Sequence, residues 1–200
     1  MSETLSRRSF NTLVAGGAFA AAGGLAFGQE LKKAPVPVEK PLLRDYPVPT
    51  GFVPPWKKLQ LNRTMLQDFV IYAHSDLDMT KRLLDEEPLL INGVMDWGEG
   101  DWESGLGGAS HMGRHDIVRF LLERGARIDI FCATMMGQLD AVKSFLTLQP
   151  KLIDSRGPHG FTLHFHAQLA GAESEKMIDY LQSIKHVDLK PNPFVQFMKN

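Results

Sequence analysis

The feature that most constrains the fold is a short amphipathic segment near the middle of the chain. A helix of 3.6-residue period places its apolar residues on one side and its charged residues on the other: Ile117, Val118, Leu121 and Leu122 against Arg119, Glu123 and Arg124. Gly113 breaks the chain just before this helix, and Gly125 stands where a left-handed cap ends one. Because so short a helix is marginal in isolation, its apolar side has to be buried against neighbouring elements.

The same apolar spacing recurs along the chain after each of four break residues. These residues are Ser75, Gly113, Gly137 and Gly171, at intervals of 38, 24 and 34 residues. The matching positions in the other copies are Met79, Thr80, Leu83 and Leu84, then Ala141, Val142, Phe145 and Leu146, then Met177, Ile178 and Leu181. Small residues ahead of the glycine breaks indicate an earlier helix that approaches its partner closely. Repeats of this length predict a solenoid of about four helix-turn-helix units.

The second unit resembles the ankyrin repeat. Its segment 104–113 follows the family pattern T-P-L-H-x-A-A-x-x-G in part, and Ile117-Val118, Leu121-Leu122 and Gly125-Ala126 follow I-V-x-x-L-L-x-x-G-A closely. The resemblance implies an all-α, ankyrin-like helical solenoid with short connecting loops over residues 59–186. Residues 187–200 are expected to cap the last unit through Phe194 and Phe197. The short interval after Gly113 predicts an abbreviated loop, and the long first interval has extra length between Gly93 and Glu103.

The N-terminal region has the layout of an export signal. Arg7 and Arg8 precede an apolar run that ends near Gly28, and the paired arginines look like a twin-arginine signal. We therefore expect residues 1–28 to direct export to the periplasm, with a membrane tether as the alternative if the signal is retained. Residues 29–58 are rich in proline and predict an extended linker. Export favours burial of the single cysteine, Cys132, over a reactive role.

Residues 96–103 combine two tryptophans, four carboxylates and two glycines. Such tryptophans anchor protein interfaces, so this loop is a candidate recognition finger. The alternative is that a tryptophan folds back to cover the end of the helical stack. Between the two, Trp102 is the expected packing residue because it adjoins a helix.

The histidines raise the question of a metal site. His164 and His166 diverge on a helix, and His164 stands where ankyrin units tolerate a histidine that bonds backbone. A structural role is therefore favoured over a ligand role for each of His111, His115, His159, His164 and His166. His111 and His159 can still meet across the concave face, and this leaves open an alternative function as a periplasmic metal- or cofactor-binding protein.

No catalytic motif is present. The net charge of −1 provides no positive electrostatic potential that would attract nucleic acid. The main functional hypothesis is a monomeric, non-enzymatic scaffold that binds an unknown periplasmic protein and needs no metal or cofactor. Its concave surface is expected to include Trp97, Asp101, Trp102, His111, Met112, Met135, Met136, His159 and Phe161.

Overall fold

The computed structural model describes residues 60–198. The predicted export signal and the predicted proline-rich linker lie outside these residues. Of the residues it describes, 63% are helical, in eight α-helices, and there is one small two-stranded sheet. The expectation of an all-α chain is therefore confirmed for the helices, and the small sheet departs from it. Within residues 60–198, every helix is too short or too polar to cross a membrane.

The eight helices form four consecutive pairs, each joined by a short turn. The pairs are α1 (Arg63–Ala73) with α2 (Leu77–Glu86), α3 (Gly105–His111) with α4 (His115–Glu123), α5 (Ile130–Met135) with α6 (Leu139–Leu148), and α7 (Leu163–Ala167) with α8 (Ser174–Ile184). The two helices of each pair contact one another. The first helices of successive pairs also contact in order, α1 with α3, α3 with α5, and α5 with α7.

The turns at Gly113 and Gly137 follow one pattern. Gly113 has a φ of 67°, its N–H donates to the Ser110 carbonyl, and the Arg114 N–H donates to the Ala109 carbonyl. Gly137 has a φ of 69° and the equivalent pair of bonds. This pair of hydrogen bonds is the Schellman motif, which ends a helix on a residue with left-handed backbone angles. The predicted breaks at these glycines are confirmed.

The central amphipathic helix is α4. Ile117, Val118 and Leu121 are fully buried, whereas Arg119 and Glu123 are exposed. The apolar face joins a core built mainly from the first two pairs, and a second core fills the last two pairs. Cys132 lies in the first core with 1% of its surface exposed, and burial raises the pKa of its thiol to about 12. The thiol is thus held in its unreactive form.

The extra residues of the first interval form a β-hairpin. Strand β1 (Val94–Asp96) pairs antiparallel with β2 (Trp102–Ser104), and Met95 stands opposite Glu103. Both of these side chains point inward and are buried. The connection between α4 and α5, by contrast, contains neither helix nor strand. The predicted difference in length between these two loops is confirmed.

The C-terminal segment reaches beyond the last helix pair. Asn192 is buried, and its amide donates to the Phe165 carbonyl at 2.9 Å. The Phe194 ring then lies against Phe161 and Phe165 and reaches His111 in the second pair, with ring centroids 6.2 Å apart. Phe197, the other residue expected to cap the last unit, is 43% exposed.

Candidate metal site

Four side chains converge beside the hairpin: His74, Glu103, His111 and His159. One ligand atom from each lies within 4.8 Å of all the others. His74 follows the end of α1, Glu103 is the middle residue of β2, and His111 ends α3. His159 belongs to the short 3-10 turn Pro158–Gly160 that precedes α7. The cluster therefore exists only once three helix pairs and the hairpin have assembled.

The carboxylate of Glu103 lies at the centre of the cluster. Its Oε1 atom is 3.3 Å from His74 Nε2 and 3.3 Å from His111 Nδ1. Its Oε2 atom is 3.4 Å from His159 Nε2. In a tetrahedral zinc site with bonds of ~2.1 Å, neighbouring ligand atoms are about 3.4 Å apart. The two separations from Oε1 match the spacing of donors that share one ion.

Two buried atoms of the cluster are orphaned. Glu103 Oε1 and His111 Nδ1 have no hydrogen-bond partner among the described residues, although they face each other. A buried polar atom without a partner costs about 1–3 kcal/mol. An ion between them would satisfy both atoms at once.

The protonation states of His111 and Glu103 suit metal binding, whereas the contacts of His159 with Glu103 and Asp101 outweigh its burial and raise the pKa of that imidazole. Burial lowers the pKa of His111 well below its ordinary value, so this imidazole is in the neutral form that binds metals. Burial alone would raise the pKa of Glu103, but the imidazoles of His159 and His74 outweigh it, and the net result is a strongly lowered pKa. Glu103 is thus a carboxylate with a completely buried side chain.

An outer layer of hydrogen bonds orients the ligand atoms. His74 Nδ1 donates to the Val70 carbonyl at 2.8 Å, which leaves its Nε2 facing Glu103. His159 Nδ1 donates to Asp101 Oδ2 at 2.9 Å and likewise presents Nε2. Trp97 Nε1 donates to Glu103 Oε2 at 2.7 Å. Carbonyl and carboxylate partners of this kind fix the tautomer and direction of metal-binding histidines.

The backbone at His159 is held in an unusual conformation. Its φ is 57°, in the left-handed region that costs a residue other than glycine roughly 1–3 kcal/mol. Asp101 holds it there, because its carboxylate accepts both the backbone N–H of His159 at 2.8 Å and the ring N–H. Backbone strain maintained by the surroundings is typical of functional sites.

Glycine at position 108 makes room for His74. A Cβ atom placed on Gly108 would lie 2.7 Å from Cε1 and 2.8 Å from Nδ1 of the His74 ring. Helix α3 therefore packs its bare backbone against the imidazole. Any larger residue at this position forces the ring to move.

Several residues predicted to bind a partner belong to this cluster or its lining. His111 and His159 meet, as the sequence left open, with ring centroids 5.2 Å apart. Asp101 and Trp97 form the outer layer, and the Phe161 ring lies 5.2 Å from that of His111. His111 is only 3% exposed, so it contributes little to an outer surface.

The remaining predictions need correction at two points. Met135 has no exposed surface and lies in the core, so it cannot contact a partner. Trp102 was expected to be the packing residue, but it is 59% exposed, while Trp97 packs against the core and bonds Glu103. Trp102 points outward because inward-facing Glu103 is its neighbour, and successive side chains of a strand face opposite sides. Met112 and Met136 are half-buried.

The other buried histidines have structural partners. His115 Nε2 donates to the Leu169 carbonyl, His164 Nε2 to that of Lys185, and His166 Nδ1 to that of Thr162. Each of these hydrogen bonds joins the ring of a histidine in a helix to a backbone carbonyl. These bonds support a structural role for the three residues.

Sequence reasoning missed His74 and Glu103. Strand alternation turns Glu103 to the face opposite Trp102 and Ser104, but this was no usable signal while Trp102 was expected to pack inward. The three glycines in segment 105–108 indicate that another side chain packs closely against this helix, because glycine leaves room beside the backbone. They do not indicate which residue does so. Comparisons with family models, with curated proteins and with solved structures found no match to this chain.

The hydrogen bond from Trp97 gives the first prediction. Trp97→Phe keeps most of the packing and removes the N–H that orients Glu103. We expect metal affinity to fall about tenfold, at the lower end of the ~10–100-fold effect of outer-layer partners. Competition with a chromophoric chelator measures this, and Trp102→Phe on the exposed face of the hairpin is the control. Equal affinities for the two variants would contradict an orienting role for Trp97.

Proposed function

We propose that this protein binds one divalent transition-metal ion through His74, Glu103, His111 and His159. The observation that carries this proposal is the facing pair of orphaned atoms, Glu103 Oε1 and His111 Nδ1, inside a four-residue cluster. Three imidazole nitrogens and one carboxylate oxygen suit zinc, copper, nickel, cobalt or iron. Calcium and magnesium prefer all-oxygen sites and are disfavoured.

A purely hydrogen-bonded cluster explains the same residues less well. His159 is satisfied without an ion, since it contacts two carboxylates, Asp101 and Glu103. His111 is not, because its Nδ1 atom faces a carboxylate oxygen without forming a hydrogen bond. An ion supplies the missing interaction. The hydrogen bonds to Val70 and Asp101 already fix the tautomers in which the Nε2 atoms of His74 and His159 face the cluster.

The site fits a proposed ankyrin-like solenoid. Four helix pairs in sequence, ordered contacts between their first helices and a hairpin between the first two pairs all support this architecture. In such a stack neighbouring units supply residues to one shared surface. Export to the periplasm and a protein partner remain predictions, with Trp102 and Val94 as exposed apolar residues of the hairpin.

Metal loading of untagged, chelator-stripped protein tests the proposal. We expect one zinc or cobalt ion per chain. Excess zinc should raise the unfolding temperature by roughly 10 °C, because ligand at 1,000 times Kd adds about 4 kcal/mol and 1 kcal/mol shifts a chain of this size by ~2–4 °C.

The matched control compares two histidines. His111→Ala removes a buried ligand, whereas His186→Ala removes an imidazole that is 84% exposed and outside the cluster. We expect His111→Ala to lose both the bound ion and the thermal shift, and His186→Ala to keep both. If both variants bind metal like the original chain, the site is elsewhere and the proposal is wrong.

A further inference from the structure

We infer that the bound ion keeps a coordination position open toward solvent, between His74 and His159, and that this position takes a small anionic ligand. The inference rests on the proposed function. The anion is one with an oxygen or nitrogen donor, such as a carboxylate or a hydroxide derived from water.

The burial of the four ligand residues is uneven. The side chains of Glu103 and His111 are 0% and 3% exposed, and they form the floor of the site. Those of His74 and His159 are 23% and 12% exposed, and they form its rim. An ion held between floor and rim is therefore reached from the rim. The side chain of Asp101 is also 19% exposed there.

The four protein donors complete a tetrahedral site but leave the sphere of a five- or six-coordinate ion incomplete. Glu103 offers Oε1 to the ion, because Oε2 already accepts the Trp97 N–H at 2.7 Å. The protein then supplies four donors, one from each ligand residue. Cobalt, nickel, iron and copper commonly bind five or six ligands, and zinc expands to five in reactive sites. A fifth donor has to come from outside the protein.

The charge of the site selects an anion. A divalent ion with three neutral imidazoles and one carboxylate keeps a net charge of +1. The carboxylate of Asp101 lies at the rim, where it accepts a hydrogen bond from the His159 ring at 2.9 Å. Its negative charge partly offsets the positive charge of the site. Replacing Asp101 by Asn removes the opposing charge and leaves one oxygen, which can accept either the ring N–H or the backbone N–H of His159.

Cobalt-loaded protein titrated with azide tests the inference. The visible spectrum of Co(II) reports its ligands, so we expect a saturable spectral change while the cobalt remains bound. Asp101→Asn should bind azide about fivefold more tightly, which corresponds to about 1 kcal/mol, the interaction of two unit charges ~4 Å apart in water. Cobalt content is measured in every sample.

The outcomes separate the inference from the proposed function. Protein that holds cobalt but shows no spectral response to azide has a closed coordination sphere, and the inference is then wrong while the proposed function stands. Protein that does not bind cobalt, zinc or another divalent transition metal overturns both. If cobalt-loaded Asp101→Asn binds azide more tightly than the original chain, the result supports an azide position at the rim. If it binds azide more weakly, the result contradicts that position.

Discussion

Glu103→Gln is expected to reduce metal affinity by about 100-fold or more. Loss of an outer-layer partner alone costs ~10–100-fold, and Glu103 is a direct ligand that contributes the only negative charge among the four. Glutamine has nearly the same size and keeps an oxygen that accepts the Trp97 N–H. The substitution therefore removes charge and donor strength from the centre of the site and leaves its packing in place.

Glu99→Gln is the matched control for this prediction. It makes the same chemical change four residues away, in the exposed loop of the same hairpin. Competition with a chromophoric chelator gives both dissociation constants, and chemical denaturation without metal shows whether each variant is folded. An affinity of folded Glu103→Gln within threefold of the original chain would remove Glu103 from the site.

The sequence predicts the helices well because their causes are local. The apolar positions of α4, from Ile117 to Leu121, and the left-handed caps at Gly113 and Gly137 depend on residues a few positions apart. The extra length between the first two breaks was likewise visible, although the β-hairpin that it forms was not predicted. Periodicity and turn chemistry are enough to place the helices and their breaks.

The candidate site depends on contacts between distant residues. His74 and Glu103 are 29 positions apart, and His159 is another 56 positions along the chain. Their meeting is set by how the helix pairs stack and by the left-handed backbone of His159. Neither leaves a periodic signal. The pairing of His111 with His159 was accessible because the expected solenoid already placed both on one face.

The exchanged roles of Trp97 and Trp102 have a simple cause. Proximity to helix α3 suggested that Trp102 packs inward. Strand alternation decides the matter instead, because a shift of one residue turns every side chain to the other face. Glu103 faces inward, so Trp102 has to face outward, where it is 59% exposed.

Gly108→Ala is expected to lower metal affinity roughly 10–100-fold without unfolding the protein. The added methyl would lie 2.7 Å from the His74 ring, so the ring has to move away from its partner, the Val70 carbonyl. Because the contact is with a side chain and not with backbone, the ring can yield and the helix survives. The displaced ring no longer directs its Nε2 atom at the ion. The expected loss of metal affinity is therefore that of removing an outer-layer partner.

A double-mutant cycle with His74→Ala decides whether the effect passes through that ring. Without the imidazole there is nothing for the methyl to displace, so Gly108→Ala should not weaken metal binding any further. It should then stabilise the metal-free protein by up to ~1 kcal/mol, since alanine is the better helix former. In the original background this gain is offset by the displaced ring. A similar fall in affinity in both backgrounds would mean that Gly108 acts on α3 itself, and that the space it leaves for His74 is incidental to the site.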